Sequence, residues 1–246
     1  MKRSPVILAL REESEFSREL RDQGFEVLNL PMIETRRLSD LSQLRQHLAE
    51  IERFDHIFLT SRASAGVLAD ELNPELLSKL PPVHVLGEKA REILEKHGVT
   101  VKYKESANTA NGLLDMIGES TFAGTSILFI RGEMSMQTIP QRLGAVAKVE
   151  EAVVYETVDA PIGNEEAVVR LFSGDVDWLC FFSPSAVESF KRRNFPNGGN
   201  RPRAAVIGDT TAQSAHSLGY VVDFVSERAS AVDFARGLAR HINGIE

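Results

Sequence analysis

Residues 55–68, DHIFLTSRASAGVL, return as residues 177–190, DWLCFFSPSAVESF, with Ser61 falling on Ser183. Three further matches stay in register. VLGEKAREILEKHG (85–98) falls on VIGDTTAQSAHSLG (206–219), with eleven residues from glycine to glycine in both copies. VILALREE (6–13) falls on SILFIRGE (126–133), which sets Arg11 on Arg131, and MIET (32–35) falls on VYET (154–157). Four registered matches at an offset of about 120 residues read as two copies of one unit. A unit of that length is too long for a solenoid repeat, so the chain is expected to form two lobes with a cleft between them.

The kind of unit follows from its pattern. Short β-branched runs alternate with amphipathic stretches throughout: VILAL (6–10), EVLNL (26–30), HIFLT (56–60), VHVL (83–86), SILFI (126–130), KVEEAVVY (148–155), WLCFF (178–182) and AAVI (204–207). Between them, spacings such as Leu41, Leu44, Leu48 and Ile51 place apolar residues on one helical face. The alternation predicts an α/β fold in which parallel sheets are covered by helices. Residues 194–203, NFPNGGNRPR, read as an exposed loop inside the second copy.

Several function classes are disfavoured. A net charge of −7 over 246 residues lacks the basic face that nucleic-acid binding needs. There is no run of about 18 apolar residues for a membrane span, and the start MKRSPVILALREE turns acidic too soon for a signal peptide, so the cytoplasm is the expected location. The single Cys180, in the apolar run WLCFF, allows no intramolecular disulfide and no CxxC metal pair, and it reads as a buried thiol. The six histidines show no metal-ligand spacing, so no metal is expected. No GxSxG elbow and no Cys/His pair suggests a nucleophile. Acidic pairs such as Glu12-Glu13 and Glu165-Glu166 fall at helix starts, where the helix dipole accounts for them.

What remains sits at strand ends. Ser61 in the first copy, and Ser183 and Ser185 in the second, follow a strand directly. They suit helix N-caps, and they also suit a ligand crevice, because the C-terminal ends of strands in α/β sheets face one. VIGDTTA (206–212) turns from strand to helix through Gly208, with Thr210 and Thr211 beside the turn, and unpaired amides at such a turn favour an anion. It lacks the second glycine of GxGxxG and the Gly-Lys-Ser/Thr of a P-loop, as does GEKA around Gly87 in the first copy, so a nucleotide is disfavoured. At Arg131-Gly132 a guanidinium at a strand end could grip a carboxylate in bidentate fashion, or simply lie on the surface. Tyr155 stands where the other copy has Ile33. That difference fits a core tyrosine or a phenol with chemistry to do.

Taken in order and spacing, D-x-x-x-x-TS (55–61), VLGEKA (85–90), RG (131–132), VVYET (153–157), D-x-x-x-FFSPSAV (177–187), A-x-IGDTTA (205–212) and LG (218–219) resemble the uroporphyrinogen-III synthase family across essentially the whole chain. The resemblance implies two similar α/β lobes, residues 1–35 with 158–246 and residues 38–155, joined by a two-stranded β linker made of PMIETRR and VVYETVD. It implies an enzyme without cofactor that cyclises the linear tetrapyrrole hydroxymethylbilane with inversion of the last ring; nothing in the sequence indicates an oligomer, so a monomer is the default expectation. On that pattern the substrate's eight carboxylates would meet Arg11, Ser183, Ser185, Gly208, Thr210 and Thr211 in one lobe, and Ser61, Arg62, Gly87, Lys89, Arg131 and Gly132 in the other. Tyr155 would be the proton donor, a role open to a phenol of pKa about 10. The family's threonine in G-x-x-T-A is Thr211 in one copy but Ala90 in the other, where backbone amides, Lys89 or Arg91 would serve instead. A non-catalytic, two-lobed binding or sensor module is the alternative, and it would have no need of Tyr155.

Overall fold

A computed structural model describes residues 3–107, 109–195 and 202–244. In chain order its elements are β1 (Val6–Ala9), α1 (Glu15–Asp22), β2 (Glu26–Asn29), β3 (Ile33–Arg37), α2 (Ser42–Ala49), β4 (His56–Leu59), α3 (Arg62–Glu71), α4 (Pro74–Lys79), β5 (Val83–Val85), α5 (Glu88–Lys96) and β6 (Val101–Tyr103). There follow α6 (Ala110–Ile117), β7 (Ser126–Gly132), α7 (Thr138–Leu143), β8 (Lys148–Asp159), α8 (Glu165–Phe172), β9 (Trp178–Phe181), α9 (Pro184–Arg192), β10 (Arg203–Val206), α10 (Asp209–Ser217), β11 (Val222–Val225) and α11 (Ala231–Asn243). Most of the loop expected at 194–203 lies outside the described residues. Among the described residues no helix is long and apolar enough to cross a membrane, and no group of three or more His, Cys, Asp or Glu could hold a metal ion.

The chain divides into two compact units, Met1–Glu34 with Val158–Glu246, and Thr35–Thr157. The first carries a parallel sheet in the order β11-β10-β9-β1-β2. In the second the order is β3-β8-β7-β4-β5-β6, parallel from β8 to β6. Laid on the sequence repeat, β9, β10, β11, β1 and β2 correspond to β4, β5, β6, β7 and β8, and the spatial order is the same in both. The repeat is therefore one of topology as well as of residues.

Each sheet is buried on both faces, which is why its strands read as continuous apolar runs. In the first unit Leu8, Leu179 and Val206 pack to one side, while Ile7, Trp178, Cys180 and Ala205 pack to the other. In the second, Ile57, Val83, Leu128 and Ile130 face one helical layer, and Phe58, Ile127 and Phe129 face the opposite one. The expected helical face holds: Leu41, Leu44, Leu48 and Ile51 are all buried. Cys180 is fully buried, and burial pushes its thiol pKa well up, so it is unreactive packing.

The aspartates of the repeated D-x-x-x motif are staples. The Asp177 carboxylate accepts from Val6 N at 2.7 Å, and the Asp177 amide donates to Val6 O at 2.9 Å. Asp55 does the same to Ser126, with both bonds at 2.8 Å. Each aspartate so fixes the start of the strand beside its own.

Three strands lack a readable apolar run. β6 and β11 are outermost in their sheets and only half-covered, and β3 is mostly exposed, so none of them needs a continuous hydrophobic stretch. β3 lies beside β8, and the chain passes from one unit to the other within these two strands. Leu38 N donates to Val154 O and Ala160 N to Met32 O, each at 3.0 Å, a pairing whose residue numbers rise on one strand as they fall on the other. The linker is thus a two-stranded antiparallel ladder. Arg36 and Glu156 form an ion pair across it at 2.8 Å.

Candidate functional site

Parallel strands end on one edge of a sheet, and there the turns into the following helices expose amides and hydroxyls. In the first unit Arg11, Ser183 and Gly208 follow β1, β9 and β10, which are adjacent strands. In the second, Gly132 ends β7 and Tyr155 lies beside it on β8, where the parallel pairing of the two strands ends, while Ser61 and Gly87 follow β4 and β5; these strands are again adjacent across the sheet. Strand order reverses between β1 and β9 in one unit and between β7 and β4 in the other, the place where open α/β sheets bind ligands. Each unit, taken alone, gathers its candidate residues at that point.

The individual residues differ in what they are free to do. The Ser61 hydroxyl accepts from Ser64 N at 3.1 Å and the Ser183 hydroxyl from Ala186 N at 3.2 Å, so both are N-caps, of α3 and α9. Ser185 is half-buried in the first turn of α9, and Arg62 is exposed at the start of α3. Gly87 caps α5 with φ +89°, a conformation that favours glycine. Gly208 caps α10 in extended backbone that any residue adopts, and a Cβ there would meet nothing within 4 Å. Thr210 is exposed, whereas Thr211 is 3 % exposed and its counterpart Ala90 is 1 % exposed. The substitution that separates the copies therefore lies under the helix rather than on its open end. Lys89 is exposed, while Arg91 is tied to Glu88 at 3.3 Å and Glu95 at 3.0 Å. The Arg11 guanidinium lies 4.6 Å over the Phe182 ring.

Tyr155 is placed by a β-bulge. Arg131 pairs with Val153 and Gly132 with Tyr155, leaving Val154 as an extra residue on β8. Bulges are rare in parallel pairs and often re-aim a side chain. Here Val154 and Tyr155 both pack against the same core cluster, where strict alternation would have turned Tyr155 to the face of Glu151. The bulge is pinned on both sides, because Val154 O accepts from Leu38 N at 3.0 Å and Tyr155 O from Glu133 N at 2.9 Å. In the other copy the equivalent stretch, Leu30 to Met32, contains Pro31 and breaks the strand between β2 and β3.

Gly132 makes room for the ring. A Cβ built on it would lie 2.7 Å from Tyr155 Oη and nearer still to Cζ, a separation no side chain tolerates. The repeat pairs Glu12 with Gly132 and Ile33 with Tyr155, so the glycine and the phenol are gained together. That joint change was visible in the sequence.

Arg131 does not present its guanidinium openly. Its Nε donates to the Glu151 carboxylate, and its Nη1 donates to the carbonyls of Gly132 at 2.8 Å and Glu133 at 3.0 Å. Neither Glu151 nor Ser135, whose hydroxyl accepts from Gly132 N at 3.0 Å, stands out in the sequence.

Two copies of a parallel α/β unit, linked by an antiparallel ladder, carrying helix N-termini and hydroxyls at their strand ends and one phenol at a bulge, define a two-domain α/β protein built to meet an anionic ligand. The family model described as HEM4, uroporphyrinogen-III synthase HemD, matches residues 14–235, and the chain belongs to that family. A uroporphyrinogen-III synthase of Chlorobaculum parvum is 28 % identical over 97 % of this chain and 98 % of its own. The fold is shared with the crystal structure of uroporphyrinogen-III synthetase from Helicobacter pylori 26695, with TM-score 0.63 and 16 % identity over 98 % of this chain and all of that one. A mutant uroporphyrinogen III synthase of Thermus thermophilus is similar over the same share of this chain and all of its own, with TM-score 0.59 and 17 % identity.

Proposed function

We propose that this enzyme closes hydroxymethylbilane to uroporphyrinogen III with Tyr155 as the proton donor. The observation that carries the assignment is the Tyr155 ring, turned by a bulge and seated over a glycine whose missing side chain leaves room for it. Donation of the phenol proton to the terminal hydroxyl lets it leave as water and makes the first ring an azafulvene. The substituted carbon of the last ring attacks this electrophile, giving a spiro intermediate that rearranges to the inverted macrocycle. The proton lost when the final pyrrole regains aromaticity restores the phenol, so the step balances. Closure without inversion proceeds unaided, so the main task of the protein is to hold a geometry.

The substrate's carboxylates are read as held by helix N-termini and the hydroxyls beside them. In the first unit these are Gly208 with Thr210, and Ser183 with Ser185 and Arg11; in the second, Ser61 with Arg62, and Gly87 with Lys89. The burial of Thr211 supports a packing role for it, with the neighbouring Thr210 making the contact. A binding module would have no use for the paired Gly132 and Tyr155. The test supplies hydroxymethylbilane, oxidises the products and resolves the isomers. Tyr155→Phe should keep the fold and the KM while lowering kcat about 10²–10⁴-fold, the usual yield of general acid catalysis. An unchanged kcat would remove Tyr155 from the chemistry, and type I product alone from the unaltered enzyme would remove the activity.

A further inference from the structure

We propose that Arg131 and Glu151 form a clamp that positions Tyr155, and that Arg131 is not a substrate-carboxylate ligand; the inference rests on the reading of Tyr155 as proton donor. Arg131 is 15 % exposed in its side chain and already holds a carboxylate, that of Glu151. A substrate carboxylate would have to displace it. The remaining contacts of the guanidinium go to the carbonyls of Gly132 and Glu133, which belong to the turn that leaves β7.

That turn is the wall of the Tyr155 site. The Gly132 carbonyl accepts from Arg131 and, at 3.1 Å, from Ser135 N, while Gly132 N donates to the Ser135 hydroxyl at 3.0 Å. Glu133 N donates to Tyr155 O at 2.9 Å. Residues 131–135 are thereby closed on themselves and tied to β8 at two places, Glu151 before the bulge and Tyr155 at its end. Since Gly132 lies against the ring, a shift of the turn changes the wall on which the phenol is seated. A planar fork suits this task, for one guanidinium can bond a carboxylate and two carbonyls at once, and an ammonium lacks that geometry.

The experiment compares Glu151→Gln, Arg131→Gln and their double variant in the full chain, with Arg131→Lys as the milder change should Arg131→Gln not fold. Steady-state kcat and KM are measured on hydroxymethylbilane. The ring signals of the chain's three tyrosines are followed by NMR with 13C-labelled tyrosine, that of Tyr155 being assigned by its loss in Tyr155→Phe. Each single variant should lower kcat about tenfold with KM little changed, since small misplacement of a catalytic group is costly. The double variant should be no worse than the poorer single one, and the Tyr155 signal should move in all of them. Arg131→Lys should fall between Arg131→Gln and the unaltered enzyme. A raised KM with unchanged kcat in Arg131→Gln, alongside an unaffected Glu151→Gln, would overturn the clamp and restore a substrate grip. So would a Tyr155 signal that stays in place. If Tyr155→Phe retains full kcat, the proton-donor reading fails by itself, and the Tyr155 signal still decides whether the clamp exists.

Discussion

Replacing Gly132 by alanine tests the geometry on which the assignment of Tyr155 depends. The added Cβ would sit 2.7 Å from Tyr155 Oη and closer to the ring carbon that bears it, whereas unstrained heavy-atom contacts lie at about 3.5–4.0 Å. The ring must therefore retreat by about 1 Å, or the turn must. Overpacking of this kind costs about 1–3 kcal/mol, which should lower Tm by several degrees without unfolding the chain. The catalytic cost is larger, because a misplacement of about 1 Å at a reacting group lowers the rate about 10²-fold. Cyclisation of hydroxymethylbilane, followed by oxidation and isomer analysis, should show kcat falling by that factor, KM nearly unchanged, and more type I product from substrate that closes unaided. Because the damage falls on Tyr155 alone, Gly132→Ala combined with Tyr155→Phe should be no slower than Tyr155→Phe. A Gly132→Ala enzyme with full kcat, or a double variant in which the losses multiply, would refute the reasoning.

Further outcomes follow from burial and charge. Thr210→Val should raise KM while Thr211→Val, at a covered position, should leave it nearly unaltered; the reverse result would return the contact to Thr211. Gly208→Ala introduces a methyl that meets nothing within 4 Å among the described residues beyond its chain neighbours, so Tm should hold while KM rises if a carboxylate approaches that amide; an unchanged KM would remove the site at α10. The ring of His84 stacks on Phe58 at 4.6 Å and bonds His56 at 3.2 Å, and burial first, then the neighbouring charges of His56 and Lys102, pulls its pKa from 6.5 to about 4. The unfolded chain takes up this proton near pH 6.5 and the folded unit only near 4. Stability is therefore complete above about pH 6.5 and declines by about 3 kcal/mol as the pH falls to about 4, then levels. Urea midpoints against pH should show that decline, and His84→Leu should flatten it; an equal slope in the variant would assign the effect elsewhere.

The sequence alone disclosed the repeat, because core strands of parallel sheets must be apolar on both faces and so leave continuous runs such as WLCFF and SILFI. The repeat did not show that each unit takes strands from both copies; the discontinuous division came from the family resemblance, since which strands pair is decided by the sheet and not by order along the chain. The sequence disclosed the strand-end serines and glycines for the same local reason, since capping and positive φ are demands on single residues. Strands β3, β6 and β11 left no such mark, for an edge strand half in water needs no apolar run. Other choices belonged to the tertiary structure. Arg131 as read along the chain is a cation at a strand end, free to meet a ligand. Only the pairing of β7 with β8 brings Glu151, twenty residues on, to its guanidinium. Likewise Tyr155 continues an alternating strand on paper, and one extra residue at Val154 turns it to the other face and onto Gly132. Local chemistry writes caps, turns and cores into consecutive letters, whereas a bulge and an ion pair depend on the register between segments that meet only once the sheet has formed.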